Sequence, residues 1–97
     1  MSVMVIGEIA VDPEQHDQLI ELVDAVEAGS RAEQGCLAYD FWAHRSERGL
    51  VHVSERWSDE QALSAHIAGD TYRTFARGLK GLQVRKVDIQ QHAISDD

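Results

Sequence analysis

Residues Ser2–Val11 are rich in β-branched and other apolar side chains, which is typical of a β-strand. One face of this strand would carry Val3, Val5, Ile9 and Val11, and the other Met4, Ile6, Glu8 and Ala10. Apolar side chains on both faces predict a strand that is covered on both sides and central in its sheet. Gly7 leaves a gap on the first face, which indicates a bulge, a close backbone approach or, alternatively, room for a ligand.

A helix should follow this strand. Asp12 and Pro13 form a helix start, with an N-cap residue followed by proline at the first helical position. The apolar residues that recur at helical spacing are Leu19, Leu22, Val23 and Val26. We expect this helix to reach about Glu33 and to end at Gly35, because glycine is common just past the end of a helix.

Two antiparallel strands joined by a short turn come next. Residues Cys36–Arg45 alternate in polarity, and Leu50–Trp57 should return beside them. The three residues 47–49 between them end in a glycine, which suits a hairpin loop that needs a positive φ.

The length of that loop sets the register that we expect for the hairpin. It predicts four opposed pairs: His44 and His52, Trp42 and Ser54, Asp40 and Arg56, and Tyr39 and Trp57. The third pair would form a cross-strand ion pair. The face that carries Trp42 would be half polar, and a face of that kind that no helix covers predicts a subunit interface.

Two short helices follow the hairpin. Ser58, with Gln61 three residues later, forms a capping box for a helix over Asp59–Ala68. Asp70 or Thr71 would cap the next helix, whose apolar side carries Tyr72, Phe75, Ala76 and Leu79.

A final strand over Gln83–His92 is more polar than the others, which predicts a sheet edge or an exchange with a partner subunit. We expect the last residues, 95–97, to be frayed. The order of elements predicts an α+β domain of the ferredoxin-like βαββαβ type with a split second helix, occupying residues 1–97 as one domain.

Charge and composition exclude several classes of partner. The chain has 97 residues, a formal net charge of −8 and no dense basic patch, which argues against binding to nucleic acid or to anionic membranes. No apolar stretch approaches the roughly 20 residues of a membrane span, and the N-terminus lacks a signal-peptide pattern. The lone Cys36 fits a reducing compartment. We therefore expect a soluble cytoplasmic protein.

The motifs that bind common cofactors do not occur in the sequence. There is no dinucleotide fingerprint, phosphate-binding loop, nucleophile elbow, CxxC or HExxH spacing. If the protein is an enzyme, we expect it to work without an organic cofactor. His44 and His52 resemble half a metal site, but two imidazoles alone are a weak signal, and we predict no metal site.

The remaining candidate chemistry lies near the end of the third strand. Glu55 and Trp57 share a strand face with buried positions, and a carboxylate there is costly unless it is paired or protonated. His66 falls in the apolar stripe of the next helix. It can be a structural histidine or a general base whose pKa is lowered by burial.

Four segments together resemble the antibiotic biosynthesis monooxygenase domain, and in particular its quinol-monooxygenase-like branch. They are Gln34–Tyr39, Glu55–Ser58, Ala62–His66 and Tyr72–Phe75, and the resemblance covers nearly the whole chain. It implies a homodimer whose two sheets form an α/β barrel, with a pocket between sheet and helices in each subunit. It further implies oxidation of an electron-rich phenol or hydroquinone by dioxygen without metal or flavin. Other members degrade haem, isomerise a small signalling sugar or have no known activity.

The resemblance also suggests roles for individual residues. Trp57 matches the pocket tryptophan of the polyketide-oxidising members, and Arg77 falls near their pocket arginine. Their pocket asparagine and tyrosine correspond to Val53 and Leu63, so that particular mechanism is not implied. The haem-degrading members have an iron-binding histidine where residues 75–77 contain none, which argues against haem degradation.

Our first hypothesis is a cofactor-independent monooxygenase that acts on a small aromatic molecule, with His66 as the catalytic base. The residues expected to bind the substrate are Trp57, Glu55, Tyr39, Phe75 and Arg77. A dimeric small-molecule-binding module without turnover is the second hypothesis, and a small isomerase or lyase that uses the same histidine is the third. Uptake of oxygen separates the first hypothesis from the other two.

Overall fold

The computed structural model describes residues 1–95, which form an antiparallel four-stranded sheet with helices packed on one face. In chain order the elements are β1 (Ser2–Val11), a 3-10 turn (Pro13–Gln15), α1 (His16–Arg31), β2 (Cys36–Ala43), β3 (Leu50–Trp57), α2 (Glu60–Ile67), α3 (Asp70–Lys80) and β4 (Val84–Ile94). The strand order β2-β3-β1-β4 confirms the predicted ferredoxin-like fold with a split second helix. The frayed end expected at residues 96 and 97 lies outside the described residues.

Strand β1 is central, between β3 and β4, as its pattern predicted. The side chains that it directs towards the helices are buried: Val3, Val5, Ile9 and Val11. The opposite side of the sheet, which we call the outer face and which carries Trp42, His44, His52 and Ser54, is not covered by helices. Ile6 on this face is 37% exposed, so the prediction that β1 is covered on both sides is wrong for the single chain.

Gly7 lets β4 approach β1 closely. It pairs with Ile89, and a Cβ built on Gly7 would come within 2.1 Å of the carbonyl oxygen of Asp88. A contact this short with backbone atoms leaves no space for a side chain or a ligand atom. Of the alternatives that the sequence left open, the close backbone approach is confirmed.

The β2–β3 hairpin is paired two residues away from its predicted register. Its observed pairs include Tyr39 and Glu55, Asp40 and Ser54, Phe41 and Val53, and Trp42 and His52. The predicted pairing of Asp40 with Arg56 across the strands is therefore wrong, and Arg31 of α1 forms an ion pair with Asp40 at 2.8 Å. Since the shift is an even number of residues, every side chain keeps its predicted face.

Gly49 explains the shift. Its carbonyl oxygen accepts a hydrogen bond from the Val11 N–H at 2.8 Å, and its own N–H donates to His16 Nδ1 at 2.8 Å. Gly49 has a φ of +84°. Its backbone hydrogen bonds connect it to residues at the end of β1 and the start of α1, and not to the other strand of a tight hairpin turn. The connection between β2 and β3 is therefore longer than the three-residue turn expected from sequence.

The two short helices are capped by other residues than predicted. Asp59, not Ser58, caps α2, because its Oδ1 accepts a hydrogen bond from the Ala62 N–H at 2.8 Å. The N-cap position of α3 is Gly69, so the capping residues predicted from sequence lie inside the helix.

Strand β4 is an edge strand, as its polarity predicted. Its apolar residues remain exposed, with Val87 at 59% and Ile89 at 44%. These two side chains point to the helix side of the sheet, because Ile89 pairs with Gly7 of β1. The helices therefore cover the other strands and leave the inner side of β4 open.

Candidate functional site

A cavity of about 170 Å³ lies between the inner face of the sheet and helices α2 and α3. Most of its wall is aliphatic. The aromatic residues in the wall are Tyr39, Phe41, Tyr72 and Phe75, and Glu55, His66 and Gln91 add further polar groups. An apolar cavity with a few polar side chains is the usual form of a small-molecule site.

His66 is the most completely buried polar residue in the cavity wall. Its side chain is 2% exposed, and its Nδ1 lies 2.6 Å from Oε1 of Glu33. Glu33 lies in the connection between α1 and β2, which ends at Gly35 with a φ of +83°. The fold therefore brings together a helical histidine and a carboxylate that are 33 residues apart in sequence.

This contact decides which nitrogen of His66 is available. An ionised carboxylate only accepts hydrogen bonds, so Nδ1 carries the proton and donates to Glu33. In the neutral ring, Nε2 then holds the free lone pair. Nε2 is buried and has no hydrogen-bond partner among residues 1–95. Few buried polar atoms in folded proteins lack a partner, so an unsatisfied nitrogen on a ring that lines a cavity is a ligand-binding signal.

Three aromatic rings hold the imidazole in place. The centroid of Trp57 lies 4.5 Å from that of His66, with an angle of 32° between the planes. Tyr39 and Tyr72 each approach at 5.4 Å, edge to face. Trp57 is fully buried and packs beside His66 instead of lining the cavity. Its position thus differs from the ligand-contacting one that the sequence suggested.

Glu55 lines the cavity and is 8% exposed. Burial raises the pKa of its carboxyl, and this outweighs a hydrogen bond from Trp57 and the nearby charge of His66, which lower it. The indole Nε1–H of Trp57 donates to Glu55 Oε1 at 2.9 Å. The partner of His66 is therefore Glu33, while Glu55 is fixed by the tryptophan.

Tyr39 and Phe75 form opposite parts of the wall, on β2 and α3. Burial is the largest of the causes that raise the pKa of the Tyr39 hydroxyl, followed by the charge of Glu55. Tyr39 is therefore a neutral phenol at physiological pH. Both predicted residues lie where they can contact a ligand.

Arg77 is exposed, and it does not line the cavity. Helix α3 instead presents Tyr72, Phe75, Ala76 and Leu79 to it. None of the described residues in the wall is a lysine or an arginine. The structure thus brings five of the six predicted site residues together and leaves Arg77 outside.

Two groups of residues at the site escaped the sequence analysis. Glu33 gave no local signal, because its partner is remote in sequence. Val87, Ile89 and Gln91 of β4 complete the wall. Their alternation marks them as one face of a strand, but only the pairing of β4 with β1 shows that this face borders the helices.

The pair formed by His44 and His52 lies on the outer face. His44 Nδ1 is 3.0 Å from His52 Nε2, and His52 Nδ1 is 3.6 Å from Oε2 of Glu8. Lys86 of β4 also forms an ion pair with Glu8. Residues 1–95 contain no group of three or more His, Cys, Asp or Glu side chains placed to hold a metal ion.

Comparison with known proteins places this geometry in context. The family model described as antibiotic biosynthesis monooxygenase matches residues 2–78. The uncharacterized Synechocystis protein sll1783 is 26% identical over 97% of the chain, which spans 64% of that relative's length. YcnE of Bacillus subtilis, a protein named provisionally as a monooxygenase, is 26% identical over 91% of this chain and 93% of its own.

The solved structure of Rv0793 from Mycobacterium tuberculosis superposes with a TM-score of 0.89. The two sequences are 28% identical, and the match covers 100% of this chain and 98% of Rv0793. Among the described residues, no helix is both long and apolar enough to span a membrane.

Proposed function

Because the chain belongs to the antibiotic biosynthesis monooxygenase family, we propose that it oxidises a small phenol or hydroquinone with dioxygen, without a metal or an organic cofactor. One observation carries this proposal. His66 is buried, its Nδ1 is fixed by Glu33, and its Nε2 lacks a partner among the described residues while the ring lines an apolar cavity. A histidine in this state can remove a proton from a phenolic hydroxyl.

In the first step, Nε2 of His66 accepts the phenolic proton and the substrate becomes a phenolate. The imidazolium that forms is stabilised by the carboxylate of Glu33, which lies 2.6 Å from Nδ1. Glu33 is thus a positioning residue that also favours the charged product of the proton transfer, as the carboxylate does in a catalytic triad.

In the second step, the electron-rich phenolate donates an electron to dioxygen, and the resulting radicals combine to form a carbon–oxygen bond. The peroxide then loses water: the O–O bond breaks, the ring carbon loses its proton, and a carbonyl forms. A phenol and dioxygen thus give a quinone and one water, so the substrate supplies all the electrons. The apolar wall shields these intermediates from bulk water.

Four wall and support residues have distinct roles in this proposal. Tyr39 and Phe75 contact the faces and edges of the substrate ring, and Glu55 offers a hydrogen-bonding group to a substrate oxygen. Trp57 supports the imidazole of His66 by packing beside it. Arg77 has no part in binding, since it does not border the cavity.

We further propose that the protein is a cytoplasmic homodimer joined through its outer face. Trp42 on this face is 54% exposed and Ile6 is 37% exposed, although both are large apolar residues. Aromatic residues on an otherwise polar surface are typical of interface cores. Sedimentation velocity of the wild type and of Trp42→Asp tests this, since a dimer joined elsewhere would survive the substitution.

The oxidation is tested by following oxygen uptake with hydroquinone as the substrate. We expect uptake that ceases without oxygen and persists with metal chelators. His66→Gln should lower the rate by about 10²- to 10⁴-fold, because the proton acceptor is lost. His92→Gln, an exposed histidine on β4, is the matched control and should retain the rate.

Two outcomes would contradict the proposal. Product formation without oxygen would favour an isomerase or lyase. Binding of hydroquinone that His66→Gln weakens, without any oxygen uptake in the wild type, would favour a binding module.

A further inference from the structure

We propose that Glu55 makes the cavity selective for uncharged aromatic ligands and excludes anionic ligands of the same shape. The inference rests on the proposed function for the ring-shaped ligand and adds the charge class of that ligand.

Glu55 is held so that its carboxyl stays at the cavity. Its Oε1 accepts the hydrogen bond of the Trp57 indole at 2.9 Å, and that indole is fully buried. Glu55 itself is 8% exposed. The carboxyl therefore cannot turn into solvent when a ligand enters, and any ligand charge must be accommodated beside it.

Among the described residues, no lysine or arginine borders the cavity to offset this carboxyl. The described wall contains neither lysine nor arginine. Arg31, the basic residue beside β2, is engaged by Asp40 at 2.8 Å and by Glu27 at 3.5 Å. Arg73 and Arg77 of α3 are exposed. An anion that enters from solvent would add a net negative charge and lose its hydration without gaining a counter-charge, which is strongly unfavourable. The phenolate of the proposed reaction differs, because it forms together with the imidazolium and leaves the net charge of the site unchanged.

His66 together with Glu33 adds no net positive charge to the site. If its ring is protonated, the charge is already matched by Glu33 at 2.6 Å, and if it is neutral, Glu33 adds a second negative charge. The pair therefore contributes zero or negative charge in either state. The ionised carboxylate of Glu55 then sets the sign that a ligand meets, while Nε2 of the neutral His66 ring is an acceptor for a hydroxyl donor.

The test compares two probes with the same ring and hydroxyl groups, 2,5-dihydroxybenzamide and 2,5-dihydroxybenzoate. Binding is measured by calorimetry without oxygen, so that turnover cannot interfere. We expect the amide to bind at least about tenfold more tightly than the benzoate, a difference of about 1.4 kcal/mol. Glu55→Gln should reduce this ratio at least about threefold, because it keeps the shape and removes the charge.

Two controls separate Glu55 from the overall negative charge of the chain. Glu21→Gln, on the exposed side of α1, removes one charge far from the cavity and should leave the ratio unchanged. At about 1 M salt the long-range field is screened but a buried charge is not, so the wild-type ratio should persist. Loss of the ratio at high salt would overturn the inference even if Glu55→Gln does not fold.

Equal binding of the two probes to the wild type would overturn the inference, as would an unchanged ratio in folded Glu55→Gln. No measurable binding of the amide at about 1 mM would also overturn it. A preserved ratio without oxygen uptake would instead contradict the proposed oxidation alone, so the two proposals fail separately.

Discussion

Two side-chain pairs that contain histidine lie on opposite sides of the sheet: His66 with Glu33 on the inner side, and His44 with His52 on the outer face. They differ in burial and in hydrogen-bond partners. On the inner side, His66 is buried, one nitrogen is bound to Glu33, and the other lacks a partner among the described residues. On the outer face, His52 approaches His44 with one nitrogen and Glu8 with the other. The residue type is the same, but only the inner pair leaves a buried nitrogen available for chemistry.

Two carboxylates show the same contrast. Burial raises the pKa of Glu55 at the cavity, whereas a hydrogen bond from Lys86 lowers the pKa of Glu8 on the outer face. In the single chain, the helices desolvate one side of the sheet and leave the other side exposed to water. Solvent access therefore decides whether the ionised form of a carboxyl group is favoured, as in Glu8, or disfavoured, as in Glu55.

The largest expected difference between the two faces concerns their tryptophans. Trp57→Ala should lower the free energy of unfolding by about 3–5 kcal/mol, because it removes a fully buried ring beside His66. Trp42→Ala should change it by less than about 0.5 kcal/mol at protein concentrations where the chain is monomeric. Urea denaturation at several protein concentrations measures both. Equal losses at the lowest concentration would break the comparison.

A smaller effect should follow from the partners of the two histidines. Glu33→Gln should lower the rate of hydroquinone oxidation more than about tenfold, since an amide holds the imidazole without stabilising its positive charge. The fall should appear in kcat and shift the pH profile, whereas a general loss of structure would also lower the melting temperature. His44→Gln is the matched change on the outer face. If both variants lose activity equally, the distinction between the pairs is wrong.

The smallest effect should be an opposite pH dependence of stability at Glu55 and at Glu8. The raised pKa of Glu55 means that the folded wild type loses stability as pH rises from about 4.5 through that pKa. The lowered pKa of Glu8 means that stability present above about 4.5 is lost as pH falls through its pKa.

Thermal unfolding of the two variants across this pH range provides the measurement. Relative to the wild type, Glu55→Gln should therefore gain stability as pH rises, and Glu8→Gln should lose it. The groups that face Glu55 are Trp57, Tyr39, His66 and Glu33. With all of these interactions acting together, the pKa of Glu55 is raised. Parallel slopes for the two variants would contradict the assigned environments.

The sequence was sufficient for the parts of the fold that depend on local periodicity. Alternation fixed which side chains of β2 and β3 share a face, and that result survived a register shift of two residues. The register itself depended on Gly49, whose hydrogen bonds reach β1 and α1. No pattern within the hairpin could reveal those contacts.

The same limit applies to the site. His66 could be found because it interrupts an apolar helix stripe, and Glu55 because it interrupts an apolar strand face. Glu33 lies in a connection where a glutamate is unremarkable, and its role appears only when α2 is folded against it. Arg77 was expected at the site by resemblance alone, and the orientation of α3 leaves it outside.

The open edge strand has a consequence for how this protein can diversify. Val87, Ile89 and Gln91 line the cavity, yet each is exposed and contributes little to the core. Substitutions at these positions should alter the shape of the site at small cost to folding. Substitutions at Tyr39 or Trp57 should instead alter the site and destabilise the fold together. The β4 wall therefore gives the scaffold positions where ligand preference can drift almost independently of stability.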